Sequence, residues 1–165
     1  MFARIRALSL AALFTAALAA PAVASAGPPW ISIEYPINPF DQTMRGAFLL
    51  VHVFHHAEPI VFPVAGTAEG IVNGERRTIK LEFTETSRTG VYALRRQWAT
   101  EGVWTLVIRG EGGAAAVVEL GADGAIASVT VPNHQERGWT VPTAVSMADI
   151  DKALQARASA LARRD

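Results

Sequence analysis

Three observations predict an all-β chain folded as an antiparallel sandwich. From Trp30 to Val131, short runs alternate apolar and polar residues with a period of two. Turn signals punctuate them at Asn73-Gly74, Thr89-Gly90, Glu101-Gly102, Gly110-Glu111-Gly112-Gly113 and Asp123-Gly124. Their spacing leaves no room for the helical crossovers that parallel strands require. Asn-Gly is the strongest of these signals, because both residues tolerate the positive φ of a tight hairpin turn.

The chain begins with a segment of another kind. Residues 1–26 carry Arg4 and Arg6, then an apolar run broken only by Ser9 and Thr15, then Pro21 and the small residues Ala24-Ser25-Ala26. A positive start, an apolar middle and a small-residue cleavage site are the grammar of a secretory signal peptide. The apolar run is alanine-rich and shorter than the ~20 residues a spanning helix needs, which favours cleavage over a retained anchor. The expected products are a signal peptide over 1–26 and a periplasmic or secreted chain with no membrane insertion after cleavage.

Strands are expected over residues 31–35, 47–54, 60–72, 76–84, 91–98, 103–109, 114–120 and 125–131. Pro63 cannot donate to a central ladder and Gly66 and Gly70 weaken one, so 60–72 reads as one strand or two. In 76–84, Ile79, Leu81 and Phe83 share a face opposite Thr78, Lys80, Glu82 and Thr84. One buried and one wetted face per strand is the pattern of two stacked sheets, the alternative being a closed barrel. Seven or eight short strands over about 100 residues fit an immunoglobulin-like sandwich, here a domain over 27–132.

Residues 133–145 read as a loop containing Trp139. A helix follows over 146–165, with Ser146 as N-cap, Asp149 in its first turn and Arg163 and Arg164 at its end. Met147, Ile150, Leu154, Ala158 and Leu161 recur at helical spacing. The stripe is narrow, which favours packing on a sheet face or edge over docking a partner.

Composition excludes several functions. The 165 residues hold 15 Lys+Arg and 15 Asp+Glu. Removing the signal leaves 13 basic and 15 acidic residues, a net of −2, which argues against nucleic-acid binding. The absence of cysteine rules out disulfides, thiolate nucleophiles and cysteine metal sites, so packing alone holds the domain. No Gly-x-Ser-x-Gly or His-Glu-x-x-His motif is present. No catalytic residue is assigned, and the expectation is a chain that is not an enzyme.

Histidine carries the one candidate chemistry. His52, His55 and His56 lie within five residues, with His134 distant. Imidazole is the commonest transition-metal ligand and Cu²⁺ binds it most tightly of the divalent series, so the four form a candidate metal set, copper before zinc. On a regular strand His52 and His56 stand roughly 13 Å apart at ~3.3 Å per residue, while His55 points to the other face. A chelate therefore requires the chain to curl after Phe54; the alternative is polar residues at a strand end. Asp41, Met44 and Glu58 are candidate completing ligands, and Asp41 and Glu58 an unpaired acid/base set. The basic stretch Arg76, Arg77, Lys80, Arg88, Arg95 and Arg96 reads as solvated strand faces ahead of an anion site. Trp30, Trp98, Trp104 and Trp139 read as core ahead of a sugar-stacking platform.

Residues 90–108, GVYALRRQWATEGVWTLVI, resemble the paired strands of small bacterial extracytoplasmic immunoglobulin-like domains. The pattern is similar to the FixH/YtkA-like group, with Gly-x-Tyr opening one strand (Gly90, Tyr92) and Gly-x-Trp the next (Gly102, Trp104). The resemblance covers about 20 residues closely and about 60 loosely. It implies an envelope accessory role, in some members tied to copper handling or oxidase assembly. The chain departs from the group in its cleavable signal, and no metal motif of the group maps onto it. Two expectations follow: a non-enzymatic envelope module that binds another envelope protein, and, as the alternative, a periplasmic copper-binding protein.

Overall fold

The computed structural model describes residues 28–163; the signal peptide expected over 1–26 and the end of the expected helix, Arg164 and Asp165, lie outside the described residues. Among these residues twelve strands and one α-helix run in the order β1 (Trp30–Glu34), β2 (Leu49–His55), β3 (Glu58–Pro59), β4 (Ala65–Val72), β5 (Glu75–Lys80), β6 (Phe83–Glu85), β7 (Val91–Leu94), β8 (Val103–Arg109), β9 (Ala115–Leu120), β10 (Ile126–Thr130), β11 (Asn133–Glu136), β12 (Trp139–Pro142) and α1 (Met147–Leu161). The first sheet has the order β1-β2-β7-β6, with β3 also paired to β2. The second has the order β10-β9-β8-β4-β5, and β11 and β12 form a ribbon of their own. All pairings are antiparallel.

The core lies between the two large sheets. Leu49, Val51 and Val53 of β2 and Tyr92 and Leu94 of β7 meet Trp104, Leu106 and Ile108 of β8 and Ala116, Val118 and Leu120 of β9. Opposite the large β8 residues, β4 places Gly66, Ala68 and Gly70, paired with Ile108, Leu106 and Trp104 in turn. A Cβ on Gly70 would stand 2.4 Å from the Trp104 ring. The glycines thus make room for their neighbours, and the break in 60–72 falls near Pro63, ahead of β4.

Three differences raise the strand number above seven or eight. Segment 76–84 is two strands: β5 ends in the second sheet, the chain crosses at Leu81-Glu82, and β6 joins the first sheet. The alternation survives the crossing because Leu81 and Phe83 still point between the sheets. Residues 55–58 form a hairpin turn, with φ of 50° at His56 and 66° at Ala57. Within the expected loop, Arg137 (φ 49°) and Gly138 (φ 83°) turn β11 into β12. Both turns carry positive φ at both central residues, as the expected turn at Asn73 and Gly74 does.

The helix forms as its signals predict. Ser146 Oγ accepts from the Asp149 amide at 3.4 Å. Ile150 and Leu154 are buried against Val103 and Val107, with Met147, Ala158 and Leu161 flanking. The apolar stripe therefore rests on the outer face of the second sheet. For that reason β8 is buried on both faces, where a wetted outer face was expected. No helix among the described residues is long and apolar enough to cross a membrane.

Candidate functional site

The candidate histidines sit on three different parts of the fold. His52 is on β2, on the outer face of the first sheet, because Val51 and Val53 on either side point into the core. Its Nε2 lies 2.7 Å from Glu34 Oε2 on the neighbouring strand β1. A carboxylate only accepts, so this contact places a proton on Nε2. Arg88 Nη2 donates to the same Glu34 oxygen at 2.9 Å and lies 3.3 Å from His52 Nε2. Burial opposes the ionisation of Glu34. Hydrogen bonds from Arg88 and His52, and their charge, outweigh it and hold the carboxyl below the ordinary glutamate range.

The turn between β6 and β7 holds Arg88 in place. Its amide donates to Thr86 Oγ1 at 3.1 Å and the Thr86 hydroxyl donates to the Val91 carbonyl at 2.9 Å. Gly90 closes the turn with φ of 68°, and a Cβ there would lie 2.5 Å from the Ile60 carbonyl oxygen. Sequence reasoning passed over the Glu34–His52–Arg88 cluster. Glu34 and His52 are 18 residues apart, and only the β1–β2 register, with Ser32 opposite His52, brings them together. A glutamate-oriented imidazole can hold and relay a proton, and Arg88 balances the negative charge of Glu34.

The chain does curl after Phe54, through the His55–Glu58 hairpin. His55 and His56 meet there with ring centroids 4.2 Å apart, edge to face. Glu58 pairs with His55 across the turn. His134 belongs to the separate β11–β12 ribbon, where Nδ1 contacts Thr143 Oγ1 at 2.9 Å and Nε2 lies 3.8 Å from Glu136. The fold therefore joins His55 to His56 and sends His52 to Glu34 and His134 to Thr143. Among the described residues no group of three or more His, Asp or Glu side chains is placed to hold a metal ion.

The remaining candidates resolve into structural roles. Asp41 caps a short 3-10 turn: its Oδ1 accepts from the Thr43 hydroxyl at 2.5 Å and amide at 3.0 Å, and these bonds hold its pKa low. In the basic stretch, Arg76 bridges Glu69 at 2.8 Å and Asp151 of α1 at 2.5 Å. Arg77 pairs with Glu75. Arg96 lies over the Phe48 and Trp98 rings, 5.2 and 5.6 Å from their centroids. Trp98 and Trp104 are core residues, as expected.

Trp139 is different. It opens β12 at 76 % exposure, beside the Arg137-Gly138 turn and opposite Glu136. All four residues of β11 are also exposed. The readable signal was Arg137-Gly138 between two short polar runs, too weak an alternation to mark a hairpin.

Comparison of the chain with protein-family models, curated proteins and solved structures yields no match.

Proposed function

We propose that the chain acts outside the cytoplasm as a non-enzymatic, immunoglobulin-like accessory module that binds another protein of the cell envelope. Trp139 is the observation that carries this reading. A large aromatic on a projecting ribbon, flanked by Glu136 and Arg137, has the make-up of an interface anchor inside a polar rim. Burying it on a partner is worth roughly 3 kcal/mol. Strand order supports the immunoglobulin-like assignment: β1-β2-β7-β6 against β5-β4-β8-β9 matches, in chain order, strands A, B, E, D against C′, C, F, G, with β10 added. The signal-like segment 1–26 supports an extracytoplasmic location.

The test is photo-crosslinking in intact cells that express the full-length gene. A benzoylphenylalanine at position 139 is expected to trap one discrete heavier species containing a different envelope protein. The same residue at position 77, on exposed β5, is expected to trap none. A lack of any adduct from 139, or adducts equal at both positions, overturns the reading.

A second reading, copper ahead of zinc, draws on the His55–His56 contact. Adjacent imidazoles on a hairpin can serve as two cis ligands. Titration with Cu²⁺ is then expected to show binding weakened at least tenfold by His56→Ala. Equal binding by wild type and variant removes this reading.

A further inference from the structure

The two large sheets do not end alike. Three of their outermost strands carry charge: β5 has Glu75, Arg76, Arg77 and Lys80, β1 has Glu34, and β6 has Glu85. Charges on an edge strand are the usual protection against pairing with another chain. The fourth, β10, reads Ile126-Ala127-Ser128-Val129-Thr130 with no charge. Among the described residues it pairs only with β9, which leaves its other edge open. A bulge between Ile126 and Ser128 disturbs its start and leaves Ser128 to Thr130 regular.

Val129 marks the consequence. It pairs with Val118, a core residue, and so faces the space between the sheets. It is nonetheless 42 % exposed, and it is the neighbouring strand β9 that packs against β1 of the first sheet.

We propose that the open edge of β10 pairs with the same edge of a second copy of this chain, antiparallel about a two-fold axis at Val129. In that register Val129 faces its own counterpart, and Ser128 faces Thr130 in both directions. The axis thus brings together a β-branched pair and two hydroxyl pairs, which are favourable cross-strand neighbours. Charge selects the occupant. A neutral strand meets no like-charge penalty against itself, whereas a two-fold pairing of β5 centred between Arg76 and Arg77 would set two arginine pairs side by side. The same strand on both sides closes the assembly at two chains. The short regular stretch makes the dimer weak, with a dissociation constant on the order of 10–100 µM. This inference is independent of the partner assigned to Trp139.

Sedimentation velocity on the full-length gene product, purified as the cell processes it, tests the proposal. Wild type is expected to shift from one chain to two as concentration rises through that range. Val129→Lys and Val129→Glu alone should each weaken association at least tenfold, and an equimolar mixture should restore it, because the two residues meet at the axis. Thr130→Lys, at an exposed site, serves if a Val129 variant loses its thermal unfolding transition. Wild type that stays monomeric throughout overturns the proposal. So does a dimer that survives the lysine variants, including one lost only on Trp139→Ala.

Discussion

The outer faces of the two sheets are covered by different means. On the second sheet α1 lays a regular apolar stripe over Val103 and Val107, and the buried Glu69 and Thr105 on that face are paired. Glu69, only 2 % exposed, accepts from Thr78 Oγ1 at 2.7 Å and is bridged by Arg76. Arg157 donates to Thr105 Oγ1 at 2.8 Å, to the Trp104 carbonyl at 3.3 Å and to the Leu120 carbonyl. Burial pushes its pKa down, against the opposing charge of Glu119. On the first sheet, the segment between β1 and β2 covers Leu50 and Val91 with Met44, Ile37 and Ala47. Glu34, His52 and Arg88 stay partly in water beside it. A helix repeats its apolar face every three or four residues and closes a long stretch of sheet; an irregular segment seals only where single side chains land. The ionisable cluster therefore survives on the irregularly covered face.

Core truncation gives the strongest contrast. Leu154→Ala is expected to cost about 3 kcal/mol and Met44→Ala about 2 kcal/mol, since the irregular segment collapses more readily around a void. Urea unfolding of both variants measures this, and equal costs would mean that the two covers are equivalent.

Removing a charge probes the same difference. Arg76→Ala leaves Glu69 buried without its cation and is expected to cost about 2 kcal/mol at neutral pH, read from the urea midpoint. The acid limb separates the two carboxylates. Burial opposes the ionisation of Glu69, yet hydrogen bonds and the Arg76 charge hold its pKa down. Glu34 is lowered in the same direction. A depressed carboxylate contributes stability that is fully present above the unfolded value of ~4.3 and lost as pH falls through the folded value. Stability followed from pH 7 to 3 should therefore flatten more in Glu69→Gln than in Glu34→Gln, whose side chain is ten times as exposed.

The smallest effect belongs to the hairpin at the edge of the first sheet. Ala57 sits at φ 66°, where a Cβ is crowded, so Ala57→Gly should stabilise by about 0.5 kcal/mol. An unchanged thermal midpoint would show that the turn carries no such strain.

These contrasts also separate what was legible in the sequence from what was not. Local periodicity was readable: 103–109 is β8 residue for residue, and Ser146 caps α1. Features set by long-range register were not. The crossing at Leu81 keeps the alternation of a single strand, so nothing local marks the change of sheet. The turn at His56-Ala57 lacks the Asn or Gly that usually signals one. At the candidate site the histidines were visible as a group, but their partners were not, because Glu34 and Arg88 reach His52 only through β1 and the β6–β7 turn. Arg76 is exposed on its strand, as read, but its partner Asp151 reaches it only through the packing of α1.

The six-membered ring of Trp104 rests directly on Gly70, in the gap where a side chain would otherwise stand. A proton above an aromatic face is magnetically shielded, so the Gly70 α-protons are expected to carry an upfield NMR shift that exists only while β4 and β8 are paired in this register. The molecule thus contains its own label-free spectroscopic reporter of strand register within the second sheet.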